Sequence, residues 1–286
     1  MKLNKKQTEF FKTHGYLKLK NVVPKKIFKD IQKIISPWID DKIQNWINEG
    51  LISRDFSELD FWKRFLVSWK KAGKPRFRRN PNKWLINEQM YKLLRNKLFI
   101  NLASEILETN DISVHGIFNT RPQLPDVDFA RAPWHQDSQY WSMNYGQEYD
   151  DPFKSNVITF FIPLQKVDID TGCLSLMSLK DINKKLFKPV EYDFKNTGYL
   201  GLSKNDIKKF KKIPIPMNLG DILLFNHLVP HGTNPHTKNY IRWSLDIRYE
   251  STLNATGLGK KYGFTASSKI KKNITTQSEW IKNTLK

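Results

Sequence analysis

The amino-acid sequence predicts an α+β fold, because helical patterns fill its first third and strand patterns fill most of the rest. Up to about residue 110, apolar residues recur at the three- and four-residue spacing of amphipathic helices. From about residue 112, short alternating and β-branched runs replace them. Many short strands are typical of a double-stranded β-helix, the jelly-roll or cupin-like sandwich, and we expect the N-terminal helices to pack on one of its sheets.

The first two helices are predicted from their ends. Asn4 is suited to cap a helix with Gln7 three residues later, and Gly15 suits the position that follows the last turn. A second helix should begin at Pro24. We expect Pro37 to interrupt it, because proline lacks the backbone N–H that a helix interior needs.

Two more helices and a short strand complete the N-terminal part. Residues 17–19 alternate between leucine and lysine, which predicts a half-buried strand. Ser57, with Asp60 three residues later, can cap a helix that carries a stripe of leucine, tryptophan and phenylalanine. Asn87 can open another helix, whose buried face extends to Ile106. We interpret these stripes as core rather than as ligand-binding surface.

The strands lie in the second part of the chain. Alternation at 114–118, a β-branched and aromatic run at 157–164, and two short runs within 213–225 predict strands. The connections at 142–156 and 178–212 are long for a compact fold, and long loops often form lids or binding elements. We expect most substrate specificity to lie in these two loops.

The domain organisation follows from the absence of a linker. The sequence shows neither an internal repeat nor a low-complexity stretch, so we expect a single domain over residues 1–286. Within it, residues 1–110 should form mainly helical support, residues 111–250 the jelly-roll core, and residues 251–286 a basic C-terminal extension.

Composition narrows the class of protein. Cys173 is the single cysteine, so neither an intramolecular disulfide nor a cysteine-based zinc cluster can form. The first residues lack an apolar core of signal-peptide length, and no run approaches the roughly 18 apolar residues of a membrane span. We therefore expect a soluble cytoplasmic protein.

The formal net charge of +20 raises the question of an anionic partner. The lysines are scattered, and the densest basic cluster is residues 70–79, in a loop marked by glycine and proline. A solvated face is one interpretation, and anion binding through Arg76, Arg78 and Arg79 is the other. The nearby Trp62, Trp69 and Trp84 fit either the core or a substrate site.

A candidate metal site lies in the segment PWHQDSQYW at residues 133–141. If this segment is extended, the side chains of His135 and Asp137 point to the same side, and Gln136 points away. An imidazole and a carboxylate on one face supply two of the three ligands of a two-histidine, one-carboxylate iron site. The tripeptide alone is weak evidence, since a surface histidine near an aspartate is common.

The third ligand should be a histidine distant in sequence. His14 ends a helix and His115 lies in an alternating strand, where structural roles are expected. The other candidates are His227, His231 and His236, which follow a buried strand. The residue pattern alone leaves these three open.

The chain resembles the phytanoyl-CoA dioxygenase family of Fe(II)- and 2-oxoglutarate-dependent oxygenases over almost its whole length. The resemblance lies in four segments, PWHQDSQYW, GDILLFNHLVPHGTNPHTKNYIRWSLDIRY, QTEFFKTHGYLKLKNVVP and FIPLQKVDIDTGCLSLM. It implies a jelly-roll enzyme that uses Fe(II), 2-oxoglutarate and O2 to hydroxylate a small molecule, with release of succinate and CO2.

The resemblance also assigns site residues. The family's distal histidine precedes glycine and a hydroxyl residue, which selects His231 as the ligand beside His135 and Asp137. Arg242, eleven positions later, matches the arginine that binds the far carboxylate of 2-oxoglutarate, assisted by Thr233. The main competitor is Arg248, which points the same way along a strand.

Further assignments are implied at the edge of the site. Asn119 resembles a polar residue that contacts 2-oxoglutarate, and Trp141 resembles an aromatic at the substrate end of the pocket. A carboxylate at Asp137 argues for hydroxylation, because related halogenases have a small uncharged residue there. One departure is residues 177–180, Met-Ser-Leu-Lys, in place of the family's Pro-Gly-Ser-His.

The resemblance leaves two functional hypotheses. The first is the hydroxylase, acting on a small molecule that can be anionic. The alternative is a basic jelly-roll binding protein with an inactive site that engages nucleic acid or another polyanion, although no nucleic-acid motif accompanies the charge. Salt-dependent binding to duplex or single strands would distinguish the second from the first.

Overall fold

The computed structural model describes residues 1–76, 85–120, 122–127, 131–143, 151–192, 199–270 and 274–285, with the backbone alone at 141–143 and 199. Within these residues the helices are α1 (Lys5–His14), α2 (Lys25–Asn48), α3 (Phe61–Lys71), α4 (Glu88–Leu94), α5 (Lys97–Leu107), α6 (Asp137–Met143), α7 (Lys204–Lys209), α8 (Gly257–Tyr262) and α9 (Gln277–Thr284). The strands are β1 (Tyr16–Leu19), β2 (Ile112–Val114), β3 (Asn119–Thr120), β4 (Val157–Pro163), β5 (Leu174–Leu176), β6 (Val190–Tyr192), β7 (Tyr199–Gly201), β8 (Ile213–Ile215), β9 (Ile222–Asn226), β10 (His231–Thr233), β11 (Ser244–Ser251) and β12 (Phe264–Ser267).

The strands form antiparallel sheets. The larger sheet has seven strands in the order β1-β9-β4-β11-β2-β12, and β3 also pairs with β11. A second sheet has the order β10-β5-β8, and β6 pairs with β7. The predicted α+β class is therefore confirmed.

Side-chain alternation on the larger sheet separates two apolar clusters. On β4, Ile158, Phe160 and Ile162 join the cluster that contains the apolar faces of the N-terminal helices. Phe161 points the other way, into a cluster shared with Leu174 and other residues of the second sheet. The larger sheet thus lies between a helical layer and the smaller sheet, and the predicted packing of the helices on one sheet is confirmed.

The helix ends follow the predicted caps. Asn4 and Gln7 form a reciprocal capping box at the start of α1. Gly15 ends this helix with φ of 77°, in the left-handed region that favours glycine. A Cβ at Gly15 would also lie 2.4 Å from Leu179 Cδ1, so no larger residue fits there without displacement. The cap of α3 is Asp60 and not Ser57, because the Asp60 carboxylate accepts from the N–H groups of Trp62 and Lys63.

Two helix predictions were wrong in extent. Pro37 does not interrupt α2, which continues to Asn48, because buried residues on both sides of the proline, Ile35 and Trp38 among them, belong to one core. The helix that begins after Asn87 ends at Leu94, and a new helix begins at Lys97. The break is stabilised by Asn96, whose side chain accepts a hydrogen bond from the N–H of Leu98.

The C-terminal residues fold onto the larger sheet. Strand β12 pairs with β2 at one edge of the sheet, opposite β1 at the other edge. Trp280 of α9 is only 1% exposed and packs against Phe264, Tyr91 and Phe118. Among the described residues, no helix is both long and apolar enough to cross a membrane.

Candidate metal centre

Two distant histidines meet through a short backbone pairing. The N–H of His135 donates to the carbonyl of His231, and the N–H of His231 donates to the carbonyl of His135, both at 2.9 Å. The two rings lie 4.2 Å apart between centroids. The predicted choice of His231 over its neighbours agrees with this placement.

Asp137 reaches the same point by a different route from the one predicted. The segment around it is not a regular strand, because α6 begins at Asp137 itself. The backbone N–H of Gln136, just before the helix, donates to Gln139 Oε1 at 3.0 Å, which stabilises the turn. His135 therefore belongs to a strand-like bridge and Asp137 to the first helical turn.

The three side chains present their ligand atoms to one point. Asp137 Oδ1 lies 3.7 Å from His135 Nε2 and 3.9 Å from His231 Nε2. All three candidate ligand atoms lie within 4.8 Å of one another, and all three residues are buried. This separation suits a single metal ion bound by two histidines and one carboxylate.

The hydrogen bonds of the histidines fit a metal ion at this point. His135 Nδ1 lies 2.7 Å from the carbonyl oxygen of Pro133, and His231 Nδ1 lies 3.0 Å from that of Val229. A carbonyl only accepts hydrogen bonds, so each Nδ1 carries the proton and each Nε2 lone pair faces the centre. Burial and the nearby His135 lower the pKa of His231 to about 3, which keeps it neutral as a ligand must be.

The competing histidines are bound elsewhere. His227 Nε2 lies 2.8 Å from the carbonyl oxygen of Pro152, and its Nδ1 faces the backbone of Val157. His236 Nε2 lies 2.6 Å from the carbonyl oxygen of Tyr240. Both rings therefore contact the backbone, and neither belongs to the group of three ligand atoms.

Asp137 is surrounded by polar side chains that are not metal-ligand candidates. Arg248 donates from Nε to Oδ2 and from Nη2 to Oδ1, each at 3.0 Å. Thr159 donates from Oγ1 to Oδ2 at 2.7 Å. Burial acts to raise the pKa of Asp137, but the Arg248 guanidinium outweighs it and holds that pKa well below its usual range.

A cavity beside the metal centre is lined by Arg242, the arginine predicted to bind 2-oxoglutarate. The polar residues that line this cavity are Thr233, His135, His231, Arg242, Asp246 and Arg248. Its apolar lining consists of Ala132, Phe161, Leu174 and Phe225. Arg242 is buried and donates to Ser244 Oγ and to the Gly172 carbonyl, both at 2.8 Å. A buried guanidinium that lines such a cavity can bind a carboxylate.

The sequence profile of the phytanoyl-CoA dioxygenase (PhyH) family matches residues 11–243. The chain belongs to the phytanoyl-CoA dioxygenase family. It is therefore a non-haem iron, 2-oxoglutarate-dependent oxygenase, and the implied use of Fe(II), 2-oxoglutarate and O2 is confirmed.

Several solved structures share the fold of this chain. AviO1 from Streptomyces viridochromogenes is 18% identical with a TM-score of 0.55, over 87% of this chain and 95% of AviO1. EvdO2 from Micromonospora carbonacea var. aurantiaca, complexed with 2-oxoglutarate, is 14% identical with a TM-score of 0.56, over 88% and 92%. SnoK, a non-haem α-ketoglutarate-dependent carbocyclase from nogalamycin biosynthesis, is 12% identical with a TM-score of 0.52, over 92% and 86%. No curated protein sequence matches the chain.

Two further site residues, Asn119 and Trp141, were predicted for this PhyH-family chain. Asn119 is outside the cavity lining and lies opposite Asp246, which lines it, in the β3–β11 pairing. The backbone of Trp141 belongs to α6, but its side chain lies outside the described residues.

Sequence reasoning missed two polar residues of the site. Thr159 is a single hydroxyl in the apolar run of β4, and Asp246 alternates with Arg242 and Arg248 along one face of a strand. The available signals were a lone hydroxyl in an apolar strand for Thr159 and an alternating polar face for Asp246.

Gln136 faces away from the metal position, as predicted for it. Its Nε2 donates to the carbonyls of Lys185 and Leu228 at 2.8 and 2.7 Å, and its Oε1 accepts from the N–H of Phe187 at 2.9 Å. Leu228 lies three residues before His231, so this one buried amide joins the segments that carry all three ligands.

The family's Pro-Gly-Ser-His segment is replaced here by one that packs on α1. Met177 and Leu179 are buried in the cluster between the sheets. Ser178 Oγ lies 2.8 Å from His14 Nδ1, and the N–H of Leu179 donates to the His14 carbonyl. The structural role predicted for His14 is therefore confirmed.

The basic cluster is described only in part. The described part contains Lys70, Lys71, Lys74 and Arg76. The residues that fall outside the described ones are Arg78, Arg79 and Trp84. Lys70 donates to Asn239, which places this segment beside the loop that leads to Arg242. Trp69 is buried and Trp62 packs against the same core, so both are structural.

Proposed function

We propose that this protein hydroxylates a C–H bond of a small molecule, using Fe(II), 2-oxoglutarate and O2 and releasing succinate and CO2. The observation that carries the proposal is the buried group of His135, Asp137 and His231, whose ligand atoms lie within 4.8 Å of one another. Its cavity also contains Arg242, so a metal site and a carboxylate site share one space.

Each side chain has a defined task in this proposal. His135, Asp137 and His231 hold the iron and leave the positions that 2-oxoglutarate and O2 need. Arg242 binds the far carboxylate of 2-oxoglutarate with help from Thr233, and Asn119 contacts the same molecule. Trp141 lies at the substrate end. When bound, the iron and its cosubstrate supply the oxidising chemistry, while the protein orients them and excludes water.

Hydroxylation is the outcome that Asp137 favours. A carboxylate ligand occupies the position that halogenases leave for a halide. Two solved structures of similar fold are named a carbocyclase, SnoK, and an epimerase, SnoN. Iron and 2-oxoglutarate therefore serve several outcomes on this fold, and only the mass of the product distinguishes them.

The proposal also covers the setting of the site. We assign residues 1–286 to a single jelly-roll domain in the cytoplasm, supported by the two facing antiparallel sheets and the single cysteine. We assign an anionic group to the substrate, supported by the basic segment around Lys70 beside the loop that leads to Arg242.

The test is turnover against a panel of small metabolites, in pairs with and without a phosphate or carboxylate. Purified protein with Fe(II), ascorbate and 2-oxoglutarate should form succinate and a product about 16 mass units heavier with at least one anionic compound. Asp137→Ala should abolish both. Products of unchanged mass would contradict hydroxylation, and binding of generic duplex DNA that weakens steeply with salt, without any turnover, would favour the polyanion-binding alternative.

A further inference from the structure

Both oxygens of Asp137 accept hydrogen bonds from side chains other than the two histidines. Arg248 forms two parallel N–H···O bonds with the carboxylate, at 3.0 Å each. Thr159 adds a third bond, to Oδ2, at 2.7 Å. Arg248 and Thr159 are neighbours in the register of β11 and β4, so the larger sheet positions both. Two-point arginine–carboxylate pairs fix orientation as well as charge.

The two oxygens of Asp137 both accept from Arg248, but their other neighbours differ. Oδ1 is the oxygen near the histidines, 3.7 Å from His135 Nε2 and 3.9 Å from His231 Nε2. Oδ2 is turned towards the sheet, where Thr159 and Arg248 bind it. A metal ion between the histidines would therefore meet Oδ1, which accepts one hydrogen bond from Arg248, whereas Oδ2 accepts from both Arg248 and Thr159.

Charge explains why an arginine is needed here. Asp137 is almost completely buried, and a buried carboxylate without a partner is strongly unfavourable. Before a metal ion arrives, Arg248 supplies the opposite charge. Its guanidinium is itself held in place, because Nη1 donates to the carbonyl of Ile117 at 3.2 Å.

We propose that Arg248 is a positioning residue that acts as the counter-ion of Asp137 in the metal-free protein and, with Thr159, keeps Oδ1 directed at the two histidines. The site is thereby assembled before the metal ion enters. This inference rests on the ligand assignment of the proposed function. It assigns to Arg248 a task distinct from that of Arg242, which donates to Ser244 and to the Gly172 carbonyl.

The charge of Arg248 should also affect how strongly a bound metal ion stabilises the protein. A guanidinium beside the site repels a divalent cation and competes with it for Oδ1. Removing the charge of Arg248 should lower the stability of the metal-free protein, and a bound metal ion should then recover the lost stability. The stabilisation by metal should therefore be larger without Arg248 than with it.

The test compares melting temperatures of wild type, Arg248→Met and Thr159→Val in EDTA and in saturating Mn(II). In EDTA, Arg248→Met should melt about 5–10 °C below wild type and Thr159→Val by a smaller margin. Mn(II) should raise the melting temperature of Arg248→Met by more than it raises that of wild type. The matched control is Arg64→Met, which removes pairs with Asp40 and Asp55 away from the site and should leave the Mn(II) shift unchanged.

A double variant separates a counter-ion from a residue that merely fills space. Asp137→Asn leaves Arg248 as an unmatched buried charge, so adding Arg248→Met to it should raise the melting temperature in EDTA, opposite to its effect in wild type. Equal melting of Arg248→Met and wild type in EDTA, or the same loss in both backgrounds, would overturn the inference. If Arg248→Met does not fold, Arg248→Gln replaces it, because glutamine also removes the charge, and an unchanged melting temperature in EDTA overturns the inference in the same way.

The two proposals fail in different ways. If Mn(II) shifts the melting temperature of no variant, the iron assignment falls. The EDTA comparison and the double variant involve no metal, and they decide the counter-ion role of Arg248 alone.

Discussion

At the scale of single residues, two arginines of β11 and the turn before it divide the charges of the site. Arg248 pairs with Asp137, whereas Arg242 lies in the cavity with its guanidinium 5.6 Å from the ring centre of Phe161. The sequence predicts that both arginines point to the same face of a strand, but it does not predict which residues they pair with. Pairing depends on which neighbour each side chain meets across the sheet, and a single chain segment does not contain that information.

Arg242→Gln should weaken 2-oxoglutarate binding by about 10- to 100-fold, because a charge-assisted hydrogen-bond pair to a buried carboxylate is lost. Anaerobic titration of the Fe(II)-loaded protein with 2-oxoglutarate measures this Kd. Fe(II) binding itself should be retained. A Kd equal to that of wild type would remove Arg242 from the cosubstrate site.

The buried histidines predict a pH dependence of stability. Burial, reinforced by the charge of Arg248, lowers the pKa of His115 to about 3. The unfolded chain therefore binds more protons than the folded one between about pH 6.5 and 3, and stability falls as the pH falls through this window. Each such histidine contributes a slope of up to about 1.4 kcal/mol per pH unit.

His115→Gln should remove part of this slope. Urea unfolding of the metal-free protein at pH 7.5 and pH 5.5 gives two free energies of unfolding, and their difference should be smaller in the variant than in wild type. Comparing differences cancels the packing cost of the substitution, which is the same at both pH values. An unchanged difference would show that His115 does not stay neutral in the folded protein.

At the scale of elements, the metal ligands depend on one short turn between a bridge and a helix. Gln136→Leu removes the buried amide and leaves the carbonyls of Lys185 and Leu228 and the N–H of Phe187 without their partner. The free energy of unfolding should fall by about 2–4 kcal/mol, and Mn(II) affinity by about tenfold or more.

The matched control for this change is Gln44→Leu on α2. Gln44 is exposed and bonds only its helix neighbour Asn48 in the described contacts. This variant should change stability by less than about 0.5 kcal/mol and leave Mn(II) affinity intact. If both variants behave alike, the amide of Gln136 does not set the ligand geometry.

The elements also show what local patterns predict well. Caps are local, since Asn4, Asp60 and Asn87 bond N–H groups two or three residues away, and the caps at Asn4 and Asn87 were predicted. The continuation of α2 through Pro37 was not, because packing against the sheet compensates for the lost hydrogen bond. The helix that begins at Asp137 was also missed. The extended segment ends at the bridge between His135 and His231, and a contact between residues so distant in sequence is not visible in a local pattern.

At the scale of the whole molecule, the C-terminal residues contribute to the core. Trp280→Ala should lower the free energy of unfolding by about 3–5 kcal/mol, because a large side chain that is 1% exposed leaves a cavity. Leu285→Ala, at a side chain 46% exposed, should change it by less than about 0.5 kcal/mol. Urea unfolding measures both, and equal effects would show that the packing of α9 contributes little.

The order of elements was readable from the sequence, but the assembly of the sheets was not. Hydrophobic periodicity reveals that residues 17–19 form a strand, and it cannot reveal that they pair with β9, some 200 residues later. The same holds for β12, at the other edge. The metal site was predictable because its ligands carry a recognisable pattern, whereas Thr159 and Asp246 enter it only through the register of β11.

The central claim is that His135, Asp137 and His231 form an iron centre that binds 2-oxoglutarate. The most direct measurement is the visible absorption spectrum of the protein, titrated anaerobically with Fe(II) and then with 2-oxoglutarate. We predict a weak charge-transfer band that appears only when both are present and is abolished in His135→Ala and in Asp137→Ala. Absence of the band in the folded wild-type protein, or its persistence in both variants, would contradict the claim.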